Sequence, residues 1–160
     1  MKHSVKFGNW SIGLSVGSLL IMTIGLIACA DRDETVLLWT LAAIMVIWCF
    51  VALFYAPMAV SVDDSTLSIH RSLRIKELPL AEIESVKLCQ PTMAEKRICG
   101  SGGFMGYWGW FSERDLGKYF AYYGKASDCF LVTMKDGRKY MLGCQNPAEM
   151  VDAINARLTA

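Results

Sequence analysis

Two stretches near the start of this chain alternate with nothing. Residues 10–30 and 35–55 are each 21 residues long and carry no charged side chain, and neither shows a polar stripe at helical spacing. At 1.5 Å per residue each makes a helix of roughly 31 Å, about the thickness of one hydrocarbon core. The pattern predicts two transmembrane helices joined only by Asp31, Arg32, Asp33 and Glu34. So short a link demands an antiparallel hairpin, which leaves both ends of the chain on one side of the bilayer. Trp10, Trp39 and Tyr55 fall near the ends of the runs, where amphipathic rings favour the membrane interface.

After Pro57 the period becomes two. Val60 and Val62, Leu67 and Ile69, Leu73 and Ile75, Val86 and Leu88, and then Phe130, Val132 and Met134 occupy alternating positions. Asp63-Asp64-Ser65 marks one turn, and Asp136-Gly137 marks a hairpin leading to Tyr140 and Leu142. Residues 118–123 add an aromatic-rich candidate strand. The chain closes on Asn146-Pro147-Ala148-Glu149, an N-cap followed by proline at the first helical position. Met150, Val151, Ile154 and Leu158 then share one helical face. These signals predict about seven short antiparallel strands and a terminal helix, a small barrel or sandwich plugged by that helix. The division is a segment over 1–9, a membrane hairpin over 10–55 and a domain over 56–160, with no flexible linker before the domain.

Residues 100–111 interrupt this pattern with Gly-Ser-Gly-Gly-Phe-Met-Gly-Tyr-Trp-Gly-Trp-Phe, five glycines and five aromatics in twelve positions. A phosphate loop would account for the glycines, because close-spaced N–H groups wrap an anion. A Walker loop ends in Gly-Lys-Ser/Thr, however, and the next lysine is Lys118; the dinucleotide fingerprint needs glycine where Met105 stands. Two readings stay open. Phe104, Tyr107, Trp108, Trp110 and Phe111 either fold back over the domain or form a contact surface for lipid or a partner.

Charge and small residues refine the membrane hairpin. Lys2 and Lys6 precede it and Arg71, Arg74 and Lys76 follow it, while its turn holds one arginine among three acids. That asymmetry places both termini in the cytoplasm, with the hairpin in the cytoplasmic (inner) membrane. Leu26-Ile27-Ala28-Cys29 resembles a lipoprotein processing site, but a span following so closely already anchors the chain. Gly13 and Gly17 form a G-x-x-x-G pair flanked by Ser11, Ser15 and Ser18, suited to packing against Ala42 and Ala43 or to homodimerisation.

The remaining chemistry is sparse. Six cysteines and two histidines lack the close pairing of a zinc site, so no metal or cofactor is expected. His70 and the Glu113-Arg114-Asp115 cluster read as surface groups, no catalytic motif is present, and no catalytic residue is assigned. Sixteen basic residues balance fifteen acidic ones without a basic stripe, which argues against nucleic-acid binding.

Three segments give this chain a resemblance to the bacterial pleckstrin-homology (PH)-like domain family. They are Leu78-Pro79-Leu80-Ala81-Glu82-Ile83, the Gly/aromatic run from Gly100, and Asp136-Gly137-Arg138-Lys139-Tyr140 followed by a helix. The resemblance implies a PH-like β-barrel with a C-terminal capping helix over about 56–158, and no settled activity. Phosphoinositide binding is not supported, because the first hairpin turn is Asp63-Asp64-Ser65 where phosphate-binding relatives are basic. The expectation is a non-catalytic membrane-anchored interaction module, binding a protein partner, itself or the membrane surface. The alternative is a membrane-associated enzyme or lipid-processing factor with its site in the barrel mouth.

Overall fold

The structure, a computed structural model, describes residues 1–32, 34–92 and 95–158. A short strand β1 (Lys2–Ser4) precedes two long helices, α1 (Asn9–Asp31) and α2 (Thr35–Tyr55). Both are long and apolar enough to cross a membrane, and most of their side chains face outward. Asp33, in the linking turn, lies outside the described residues. The lower end of α2 is different. Ala52 and Ala56 are fully buried, so the helix runs straight into the core of the following domain.

That domain has two sheets and a terminal helix. β2 (Pro57–Val62), β3 (Thr66–Arg71) and β4 (Ile75–Pro79) extend β1 into an antiparallel four-stranded sheet. The second sheet holds β5 (Ile83–Leu88), β6 (Lys96–Gly103), β7 (Gly106–Glu113), β8 (Gly117–Tyr123), β9 (Cys129–Met134) and β10 (Lys139–Gly143). Its order is β5-β9-β10-β8-β7-β6, with β10 parallel to β8 and every other pairing antiparallel. Helix α3 (Pro147–Leu158) turns Met150, Val151 and Ile154 onto β5, β2 and β9. Val60, Leu67, Ile69, Phe130, Val132 and Leu142 meet it between the sheets.

The expected antiparallel barrel of about seven strands is corrected in three respects. Ten strands are described, they form two sheets that do not close, and one pair is parallel. Two of the extra strands come from β6 and β7, which lie in the Gly/aromatic run where period-two alternation is hidden by glycine. Another is β1. Residues 1–9, set apart in the sequence reading, are stitched into the domain: Lys2–Ser4 pair with 59–61, and the Gly8 N–H donates to Gly124 O at 3.0 Å. Because Gln145 N also donates to Ser4 O, the segment bridges both sheets before α1 begins.

One titratable group in this frame gives a stability prediction. Ser61 Oγ and His70 Nε2 are 2.8 Å apart across β2 and β3. Burial holds the His70 pKa below its ordinary value, and Lys2 adds to the effect against an opposing pull from Asp63. The folded chain therefore binds this proton less readily than the unfolded chain, so stability is full above the unfolded histidine value and falls as pH drops below it. Thermal unfolding between about pH 7.5 and pH 5 should show a larger loss for the parent than for His70→Gln. Parallel pH curves for the two proteins would refute this linkage.

Candidate functional site

The Gly/aromatic run is a β-hairpin that reaches up alongside the two apolar helices. β6 and β7 pair from Lys96↔Ser112 to Gly103↔Gly106, leaving Phe104 and Met105 as the two-residue tip. Gly103, Met105 and Gly106 all have positive φ, which gives the tight reversal its shape. Further down, Gly100 pairs with Gly109, and both again have positive φ. A Cβ on Gly100 would lie 2.1 Å from Trp108 O, and one on Gly109 would lie 2.2 Å from Cys99 O. Only glycine fits there, because each strand's backbone occupies the space of the other's side chain.

Serine holds the tip. Ser11 Oγ donates to Gly103 O and accepts from the Gly106 N–H at 3.0 Å, while Ser15 Oγ accepts from the Met105 N–H at 2.8 Å. A tight turn exposes backbone groups, and these hydroxyls satisfy three of them. Phe104 stacks on Trp48 of α2 at 4.2 Å between ring centroids, and Trp108 stacks on Tyr55 at 5.3 Å. Trp108 Nε1 and Ser101 Oγ both donate to Phe104 O. The hairpin therefore grips α1 with hydrogen bonds and α2 with rings.

This divides the five aromatics of the sequence reading. Phe104, Trp108 and Phe111 are buried within the chain and offer no outer surface. Tyr107 is half-buried and stacks on Tyr123 at 4.7 Å. Trp110, on β7, is 43% exposed, and Ile98, on the neighbouring outer edge strand β6, is 51% exposed. Gly13 and Gly17 face outward, which bears on the first of their two readings, packing on Ala42 and Ala43, and not on homodimerisation. A Cβ on either would meet nothing within 4 Å, so the G-x-x-x-G face does not pack on Ala42 and Ala43. The flanking Ser11 and Ser15 carry the packing role instead, against the hairpin.

A second feature lies on the other face of the six-stranded sheet, where sequence reasoning named Tyr107 and Phe111 as contact residues but foresaw no groove. A groove of about 350 Å³ is lined by Glu95, Arg97, Tyr107, Phe111 and Tyr123 among others. The Glu95 carboxylate accepts from Tyr119 Oη at 2.7 Å and Tyr123 Oη at 3.0 Å. Burial first, and then Glu95, pushes both phenol pKa values far above the ordinary range, so both remain donors. Glu113 beneath is 6% exposed; its Oε1 accepts from Thr92 N at 3.3 Å and its Oε2 has no partner among the described residues. Burial likewise raises the thiol of Cys129, and that of Cys144 to about 12, which makes both poor nucleophiles. Among the described residues no three His, Cys, Asp or Glu side chains gather as metal ligands. The sequence gives no hint of this groove, because Glu95 lies twenty-four and twenty-eight residues from its two tyrosines.

Two open sheets, a capping helix over their shared core, and a glycine-rich hairpin at one edge define a PH-like domain. The bacterial PH domain family model matches residues 58–158, and the chain belongs to that family. Comparison with curated proteins and with solved structures returns no match.

Proposed function

We propose that the protein is a membrane-anchored, non-catalytic interaction module, multi-pass in the cytoplasmic membrane with both termini in the cytoplasm. The observation that carries this reading is the grip of the β6–β7 hairpin on both apolar helices. A domain tied by Ser11, Ser15, Trp48 and Tyr55 cannot swing on a tether, so its orientation to the bilayer is set. Anchoring also raises the effective concentration of any partner in the same membrane, so a small contact patch suffices. That patch is the free edge of β6 at Ile98 together with Trp110 of the adjoining β7, and its partner is a protein, either another chain or a second copy.

The full-length protein, solubilised from its membranes, tests this directly. Trp110→Ala with Ile98→Ser should unfold at nearly the parent's temperature, since surface changes of this kind cost little stability. It should lose at least tenfold in association, measured as co-purified partner or as oligomer mass by light scattering. If the folded double variant keeps the parent's partners and mass, the patch is not the contact surface.

The groove beneath Glu95 favours a second reading, a membrane-associated enzyme or lipid-processing factor. It is concave and sets a carboxylate and a guanidinium among aromatic walls, the mixture typical of small-molecule sites. Against it, the carboxylate already accepts from two tyrosines and the nearby thiols are held protonated. As built, the groove suits binding better than proton transfer.

A further inference from the structure

We propose that the turn between β3 and β4 is an acidic-phospholipid site, in which Arg71, Arg74 and Lys76 hold headgroup phosphates of the leaflet entered by α1 and α2. This rests on the reading of those helices as membrane spans. The turn is closed by the Arg71 N–H donating to Arg74 O at 2.8 Å. Arg74 Cζ stands 5.3 Å from the centroid of the Phe54 ring, and Arg71 Cζ stands 5.8 Å from those of Tyr55 and Tyr122. Phe54 and Tyr55 are the last two residues of α2, so both guanidinium groups sit at the depth where the apolar span ends. That depth is the headgroup layer.

The chemistry of the turn matches that layer. Leu73 and Ile75 alternate with the cations and are 54% and 55% exposed, as side chains dipping into an interface would be. Stacking engages the flat face of a guanidinium and leaves its N–H edge to bind a phosphate in forked fashion. Lys76 Nζ is held 4.6 Å from the Tyr140 ring centroid. Among the described residues no carboxylate lies within ion-pairing distance of any of the three, although Glu77 follows in sequence. Arg71 Nε is buried and has no hydrogen-bond partner among the described residues. The domain thus sets no carboxylate against these three positive charges, and the only side-chain hydrogen-bond partner it gives the Arg71 guanidinium, among the described residues, is the neutral Tyr122 phenol.

Charge is also sorted along the first sheet. β2 leaves α2 at Pro57 and ends at Val62, which puts the Asp63-Asp64 turn at the far end of the strand, roughly 20 Å from the helix. The acidic turn points away from the bilayer and the basic turn lies beside it. An anionic surface attracts such basic residues by roughly fivefold in affinity for each one close to it.

The test uses the full chain in nanodiscs of phosphatidylcholine, alone or with phosphatidylglycerol mixed in. Spin-labelled lipids report which species the protein retains, and thermal unfolding reports stabilisation. The parent should prefer phosphatidylglycerol, and high salt should weaken the preference. Arg71→Gln/Arg74→Gln/Lys76→Gln should lose at least tenfold of it, while Lys87→Gln/Lys118→Gln keeps it. Arg71→Lys/Arg74→Lys retains the charge and should retain most of the preference, which separates lost binding from lost folding. Equal preference in the parent and the triple glutamine variant overturns the proposal. So does equal stabilisation of the parent by inorganic phosphate in phosphatidylcholine discs, which would mark a soluble-anion site. Release of the chain from membranes by alkaline carbonate overturns the spanning reading itself, and is read separately from lipid preference.

Discussion

Alanine at Gly100 is expected to prevent the β6–β7 hairpin from forming. The methyl group would sit 2.1 Å from Trp108 O and 2.7 Å from Gly109 Cα, and φ at this position is +127°. Every close atom is backbone of the paired strand, so no side chain can rotate aside. Separating the strands would break the pairing between 96–103 and 106–113 and pull Phe104 and Trp108 off α2. A loss of more than about 4 kcal/mol belongs to this kind of lesion. Gly109→Ala should behave alike, with its methyl 2.2 Å from Cys99 O. Gly117→Ala is the control: φ is positive there too, but the added Cβ meets nothing within 4 Å, and the cost should be about 1 kcal/mol. Thermal unfolding of the three purified variants measures the contrast. If Gly100→Ala melts with Gly117→Ala, the close approach is not what makes glycine necessary.

The second large effect is expected from Ser11→Ala combined with Ser15→Ala. These hydroxyls satisfy Gly103 O and the N–H groups of Met105 and Gly106. Ser15 is the seventh residue of α1, roughly 9 Å along the helix, and Trp48 lies roughly 10 Å back from the end of α2. With the helices in a bilayer, the tip enters the region where water no longer replaces a missing partner. Orphaning these groups should cost about 2 to 4 kcal/mol in all. Hydrogen exchange in detergent should show protection lost at the Met105 and Gly106 amides while β9 and β10 stay protected. Ser15→Thr keeps a hydroxyl and should retain most of the protection. Uniform loss across the domain would mean that the serines act on global stability and not on the tip.

These two expectations join the chain's two oddest segments. Helical spacing puts Ser11 and Ser15 on one face of α1 and Gly13 and Gly17 roughly 200° away on the other, and folding uses only the first. The serines meet the hairpin, and the glycines face outward. The five aromatics divide in the same way, with Phe104, Trp108 and Phe111 turned inward and Trp110 left outside. Which of these faces meets a neighbour is not visible from the sequence, because residue type records what a side chain can do and not which neighbour reaches it. Ser11 and Gly106 are ninety-five positions apart.

Much of the frame was legible. Uncharged runs of 21 residues are α1 and α2, since no other use of such a length hides its backbone so fully. Period-two alternation located β2, β3, β9 and β10, and Asn146-Pro147 marked the start of α3. β1, β6 and β7 escaped, for three residues show no period and glycines carry no side chain to alternate. The parallel pairing of β10 with β8 was equally out of reach, because strand order is set by which apolar faces can share a core.

The sequence by itself determined where this chain is apolar enough for lipid, where it must turn, and that its domain is PH-like. The first two are local properties, written in hydrophobic period and turn chemistry, and the third rests on the family resemblance of residues 78–83, the Gly/aromatic run and residues 136–140. Tertiary structure alone decided that the glycine-rich hairpin leans on the helices, that the N-terminal strand extends the first sheet at its edge, and that Arg71 and Arg74 stand at the end of α2. Those outcomes depend on packing between residues far apart in the chain, where burial and hydrogen-bond satisfaction choose among partners that are locally equivalent.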